Sequence, residues 1–349
     1  MWFLSLILLI FILGIIILVH EFGHFIWAKK FGVYIYEFSL GMGPIIHTHK
    51  GKDGIDYNIR AFPIGGFVSM AGEVYEDDKK IKKEKFMCNK PGYQRLIILV
   101  AGVVNNFILA LIILFVIALF WGATSTKPIV GTILEDSAVS KSGIEVGDQI
   151  LEINGVKASS WDKLQIALVR KNKNEAYEFV VKKENGDKEA YKVIPEKVKN
   201  DDGTETNKFG FGIDTTKEYG LIPSIKYAFA KFGSVVSSMC LTITSLLTGK
   251  ISLNALSGPV GIYQVVGDSV SMGISQIIYI LAFLSINVGF INILPFPAFD
   301  GGRVLFLIIE KIKRGPIDSK IENTFHTIGF LLLMALMIYI TLQDILKLF

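Results

Sequence analysis

Three residues within five positions carry the first chemistry in this chain: His20, Glu21 and His24. On a helix, imidazoles four residues apart lie on one face, where together they can hold a zinc ion, and the glutamate between them can polarise a metal-bound water. The cluster ends an apolar run from Trp2 to Val19 that is broken only by Ser5 and Gly14. At membrane depth each such side chain costs about 2.5 to 3.5 kcal/mol, so a set without a partner is hard to sustain. The bland alternative is a polar helix end at the membrane surface.

A third ligand has to come from elsewhere, and Asp300 is the candidate. It lies near the end of the stretch Asn292-Ile293-Leu294-Pro295-Phe296-Pro297-Ala298-Phe299-Asp300-Gly301-Gly302. The two prolines stop a helix at the membrane and expose backbone groups that need a buried or wet site. Asn105 and Asn106, in the apolar segment from Leu96 to Trp121, likewise need hydrogen-bond partners, either as glue between helices or as site residues.

The elements that must position these residues follow from hydropathy. With 349 residues, of which 51% are hydrophobic, and a mean hydropathy of +0.47, the chain reads as polytopic, with room for several spans and a small soluble domain. Spans are expected at about 2–26, 96–121, 274–294 and 324–342. No basic residue precedes the first span, while Lys29 and Lys30 follow it and the loop to Arg95 is rich in lysine, including the run Lys79 to Lys85. The positive-inside rule then puts the N-terminus outside and the histidines toward the cytoplasm. The basic turn at Lys311, Lys313 and Arg314 also points inward, which leaves the C-terminus outside. The segment carries no cleavage pattern and is read as a retained span.

Within the first loop, Asp56 to Met70 alternates β-formers with turn residues and is unusually apolar. It reads as a membrane-associated β-hairpin, either a simple one or one whose edge near Gly65 and Gly66 pairs with an extended substrate. His47 and His49 could share a strand face as ligands, although histidines in a lysine-rich loop are more often solvated. From Lys127 to about Asp214 hydropathy falls. Short strands are expected at 129–134, 149–153, 177–183 and 188–194, with turns at Asn154-Gly155 and Asn185-Gly186-Asp187. The segment from Leu221 to Leu247, with Lys226, Lys231 and Pro223, suits a span or an amphipathic surface helix. Parity favours the latter: His20, His24 and Asp300 all lie at the C-terminal ends of their spans, so an odd number of crossings must separate those spans. His326, near the start of the last span, reads as interfacial.

The net charge of +4 is spent on topology, and no nucleic-acid module is present. Cys88 and Cys240 lie far apart in segments of different character and read as free thiols.

Taken together, these residues resemble the site-2 protease family of intramembrane zinc metalloproteases, in its PDZ-bearing bacterial branch. The marks are His20 to His24 for HExxH, Gly102 and Asn106 in the second span, and Asn292, Pro295, Pro297, Asp300 and Gly301 for NxxPxPxxDG. Val103 departs from the proline that relatives often carry. Val130 to Ala138 and Ser142 to Gly155 look like a PDZ domain. The expected fold is a polytopic α-helical membrane protein with four transmembrane helices, a membrane-associated β-hairpin and an inserted α+β PDZ domain. Its parts would be 1–126 for the first half of the protease core, 127–197 for the extracytoplasmic PDZ domain, 198–273 for a linker with a surface helix, and 274–349 for the second half. The resemblance implies zinc bound by His20, His24 and Asp300, Glu21 as general base, and Asn106 and Asn292 positioning substrate or the oxyanion. It implies a bacterial cytoplasmic membrane location and single-span substrates such as anti-sigma factors or remnant signal peptides. The PDZ domain would take a peptide ligand.

Overall fold

The structure is a computed structural model that describes residues 2–73, 80–170, 172, 175–199, 205–315 and 317–346. Lys79, at the start of the basic run, lies outside the described residues. The chain divides into two compact units, residues 1–110 with 262–339, and residues 111–261 with 340–349.

The first unit opens with α1 (Trp2–Lys30), which ends where Lys29 and Lys30 reach the last turn and Gly32 adopts φ 66°. Basic side chains complement the carbonyl end of the helix, and a left-handed glycine lets the chain turn away from it. Strands β1 (Ile35–Lys50) and β2 (Asp56–Met70) follow. Their pairing is richer than the expected hairpin. Leu40 is aligned with Ile59 on one side and Gly66 on the other, while Thr48 aligns with Asn58. Both strands bend, so residues 37–40 lie between 56–59 and 66–69. Among the described residues, 66–69 pairs with β1 alone and is therefore an edge. A polar network holds the bend: Arg60 pairs with Glu37 at 2.9 Å, Asn58 donates to Glu37, and Thr48 donates to Asn58. Val68 and Met70 bury against Phe25 and Ala28 of α1 and against Ile98 and Leu99, which fixes the edge beside the histidines.

α2 (Gly92–Trp121) begins just after Pro91 and runs from the first unit into the second. In the second unit, β3 (Ala123–Thr124), β4 (Val130–Ile133), β5 (Gln149–Ile153), β6 (Val156–Lys157), α3 (Trp161–Val169), β7 (Tyr177–Lys182), β8 (Lys188–Val193), β9 (Glu196–Lys199), β10 (Glu205–Lys208), β11 (Phe211–Ile213) and β12 (Lys217–Glu218) form the β-rich part. Its main sheet has the order β6-β5-β7-β8, and α3 is capped by Ser160, which accepts from the Lys163 N–H. Ile150, Ile153, Leu164 and Phe179 make the core. Phe209 also joins it, and β11 pairs with β4, so the compact part continues past residue 197. α4 (Leu221–Leu247) lies alongside: Lys231 Nζ reaches the two carboxylate oxygens of Asp162 in α3 at 2.8 and 2.9 Å.

α5 (Pro259–Met272) occupies a stretch whose Ser257-Gly258-Pro259-Val260-Gly261 reads locally as a turn. Proline suits a first helical position, and the amides of Gly258 and Gly261 donate to the buried Asp344 at 2.7 and 3.0 Å. α6 (Ile274–Ile293), α7 (Asp300–Lys313) and α8 (Ser319–Leu346) complete the chain. In the first unit Ile12 and Ile16 of α1 pack with Val266 of α5 and with Ile280 and Leu284 of α6. Among the described residues, five helices are long and apolar enough to cross a membrane: α1, α2, α4, α6 and α8, of which α4 is the least apolar.

Candidate metal centre

α1 and α2 approach closely because both present glycine at the crossing. A methyl group on Gly23 would sit 2.5 Å from the Ala101 carbonyl oxygen, and one on Gly102 would sit 2.5 Å from His24 Nε2 and 2.7 Å from His20 Cε1. Small residues at helix crossings in membranes allow such contact. The third arm comes from α6. Its ladder stops before Pro295, the chain turns through Ala298 at φ 83°, and Asp300 begins α7. Gly301 faces the Ile293 and Leu294 carbonyls with no room for a side chain.

These elements bring His20, His24 and Asp300 together, the one group of its kind among the described residues. His20 Nε2 is 3.1 Å from Asp300 Oδ2, His24 Nε2 is 3.4 Å from the same oxygen, and the two Nε2 atoms are 3.2 Å apart. Ligands at about 2.0–2.1 Å from a tetrahedral zinc stand roughly 3.3–3.4 Å from one another, so this triangle fits the ion. The groups behind the two imidazoles agree. His24 Nδ1 lies 2.7 Å from the Ile98 carbonyl oxygen, an acceptor only, so Nδ1 carries the proton and the Nε2 lone pair faces the centre. The Asn106 amide lies 3.5 Å from His20 Nδ1 while its own Oδ1 is buried without a partner. Turning the amide puts that oxygen against the His20 Nδ1–H and frees the second Nε2 lone pair in the same way. Two imidazoles and one carboxylate match the donor count of catalytic zinc sites, one short of the four that structural sites use.

Glu21 lines the same cavity of about 430 Å³ together with both histidines, Asp300, Phe67, Val68 and Met70. A methyl group on Gly66 would stand 3.9 Å from Glu21 Cγ, so the sheet edge passes directly beside the glutamate. Gly65, at φ 91°, turns the strand just before it. Asn106 is fully buried behind His20 rather than on the cavity wall, and its carbonyl accepts from Ser285 of α6. Asn292 is half-buried in the last turn of α6 and is not among the side chains lining the cavity. His47 and His49 are exposed on β1 and away from the ligand group. Cys88 and Cys240 are free. Two cavity residues carry no sequence signal for a place in the site: Arg303, paired with Glu73, and His326, read above as interfacial, which lines the cavity.

Two histidines and an aspartate close enough to share one ion, with a glutamate on the same cavity and apolar helices among which they are set, fit a membrane metallohydrolase. Comparison with known proteins narrows the class. The profile of peptidase family M50 matches residues 8–336, and the chain belongs to that family. The regulator of sigma-W protease RasP of Bacillus subtilis (strain 168) is 30% identical over 90% of this chain and 91% of its own. The zinc metalloprotease RasP of Bacillus licheniformis is 31% identical over 90% and 92%. A putative zinc metalloprotease of Fusobacterium nucleatum is 36% identical over 90% of each chain. The protein is thus a multi-pass membrane metalloendopeptidase, and zinc is the cofactor its family implies.

Proposed function

We propose that the chain hydrolyses peptide bonds within or beside the transmembrane helix of single-span membrane proteins already shortened outside the membrane. The observation that carries this reading is the convergence of His20, His24 and Asp300 within 3.4 Å on a cavity that Glu21 also lines. Zinc held there supplies Lewis acidity that lowers the pKa of a water toward about 7. Glu21 takes the proton from the attacking water and returns it to the amine that leaves. Asn106 orients the His20 ring, a better fit to its position than the oxyanion role its motif suggests. Asn292 remains assigned to substrate or oxyanion. The edge at residues 66–69 receives the peptide in extended form, because a helix must open its internal hydrogen bonds before a carbonyl can be attacked.

We assign four crossings, α1, α2, α6 and α8, with both termini and the soluble domain outside the cytoplasm of a bacterial cell and the active site toward the cytoplasmic side. The lysine-rich loop after α1 supports this orientation, and the Lys231–Asp162 pair supports an α4 that stays with the soluble domain. The PDZ-like part, 127–197, whose β4 pairs with β11 beyond it, would filter substrates by size and by peptide end. The Bacillus subtilis relative is named for the regulation of sigma-W; an anti-sigma factor and a remnant signal peptide are both single-span substrates that suit the site.

The deciding experiment incubates purified protein and Glu21→Gln with a model transmembrane peptide in detergent, with and without a chelator. Cleavage should require metal and fall by at least about a thousandfold in Glu21→Gln, with zinc content unchanged. Cleavage that survives the substitution would overturn the assigned base.

A further inference from the structure

One polar side chain on the cavity wall is satisfied at only half of its ring. His326 of α8 accepts the Ala298 N–H at Nδ1 over 3.1 Å. A backbone amide can only donate, so Nδ1 carries a lone pair and the ring's proton sits on Nε2. That Nε2 is buried and has no hydrogen-bond partner, and the residue lines the cavity with Glu21, His24 and Asp300. A buried donor without an acceptor is costly, and in a native fold it calls for an explanation.

The ring is also held in place. Phe306 of α7 packs against it with centroids 5.8 Å apart, and Phe306 itself stands edge-on to Phe325. One turn further along α8, Gly329 lies so close to Pro297 that any side chain there would overlap it. Helix α8 is therefore pinned to the Pro297-Ala298 turn, and the orientation of Nε2–H is fixed relative to Asp300, two residues beyond Ala298.

We propose that His326 is a substrate-binding residue whose Nε2–H donates to a backbone carbonyl of the extended peptide next to the bond that is cut. The ligand class follows from the donor. An intact helix keeps its carbonyls internally bonded, whereas an unwound segment offers a free one at every residue. His326 thus adds to the sheet edge a second preference for unwound backbone.

This inference rests on the proteolytic reading, and the test separates the two. Asparagine reproduces the acceptor at Nδ1 without reaching Nε2, while glutamine reaches Nε2 and gives up the acceptor. Full-length wild type, His326→Asn, His326→Gln and His326→Phe are compared in detergent with a transmembrane peptide, reading kcat and KM separately together with zinc per chain. Binding of a fluorescent peptide is read in a Glu21→Gln background. His326→Asn should lose about tenfold or more in kcat/KM and a comparable factor in peptide affinity at wild-type zinc content. His326→Gln should stay within about threefold of wild type, and His326→Phe should match or fall below the asparagine variant. Wild-type behaviour of His326→Asn, a glutamine variant as impaired as the asparagine one, or zinc loss from either would make the ring a scaffold for the Ala298 turn and overturn the proposal. A wild type that binds zinc and cuts nothing would overturn the proteolytic reading as well.

Discussion

At the scale of single residues, the centre depends as much on what is missing as on what is present. His20 and His24 supply the donors, but Gly102 supplies the space for both rings. An added methyl group would overlap the two imidazoles at 2.5–2.7 Å, and overpacking of this kind typically costs about 1–3 kcal/mol when neighbours must shift. Here the neighbours are the proposed ligands, so the cost should fall on metal binding. Gly102→Ala should keep the protein folded in detergent while weakening zinc affinity by roughly tenfold to a hundredfold, the range seen when groups supporting a metal ligand are disturbed. Zinc per chain against a competing chelator, read alongside the thermal midpoint, checks this. Full zinc occupancy with wild-type affinity would mean that the crossing relaxes and that Gly102 does not set the ligand geometry.

At the scale of elements, the decisive piece is the sheet edge beside Glu21. Gly66 sits against the Ser39 carbonyl, with a methyl position 2.9 Å from that oxygen and 3.9 Å from Glu21 Cγ. Gly66→Val should push the edge off the glutamate and lower cleavage by at least about tenfold. It should leave zinc content intact, because no ligand is touched. Equal loss of zinc and activity, seen by metal analysis beside a cleavage assay, would count against a separate role for the strand. The long apolar helices and the residues His20, His24 and Asp300 that the fold gathers are legible because each of these residues is a local polar break in an apolar background. The strands at 149–153 and 188–193 are legible from turn chemistry on either side. The two-sided pairing of residues 37–40 is not, because register is decided by tertiary contacts such as Val68 on Phe25. Nor is α5, whose first turn is satisfied by Asp344 from far along the chain. The place of His326 on the cavity is not legible for a different reason: a lone histidine near the start of a span reads as interfacial, and only the Ala298 amide and the cavity give it a further meaning.

At the scale of the whole molecule, the number of membrane crossings turns on α4, and charge bears on it more than hydropathy does. α4 is long enough to cross, but Lys231, the eleventh of its 27 residues, is bound to Asp162 in the first turn of α3, and Ser234 donates to the same carboxylate. A crossing α4 would carry this ion pair and the end of α3 to the middle of the bilayer, where charged groups cost several kcal/mol. It would also reverse α6 relative to α1 and put Asp300 at the opposite face from His20 and His24. Four crossings avoid both penalties. Accordingly, in a Cys88→Ser, Cys240→Ser background, a cysteine introduced by Ser252→Cys, just beyond α4, should react with a membrane-impermeant maleimide added to intact cells. A cysteine that labels only after the cells are opened would place Ser252 in the cytoplasm, require α4 to cross, and remove the four-span topology.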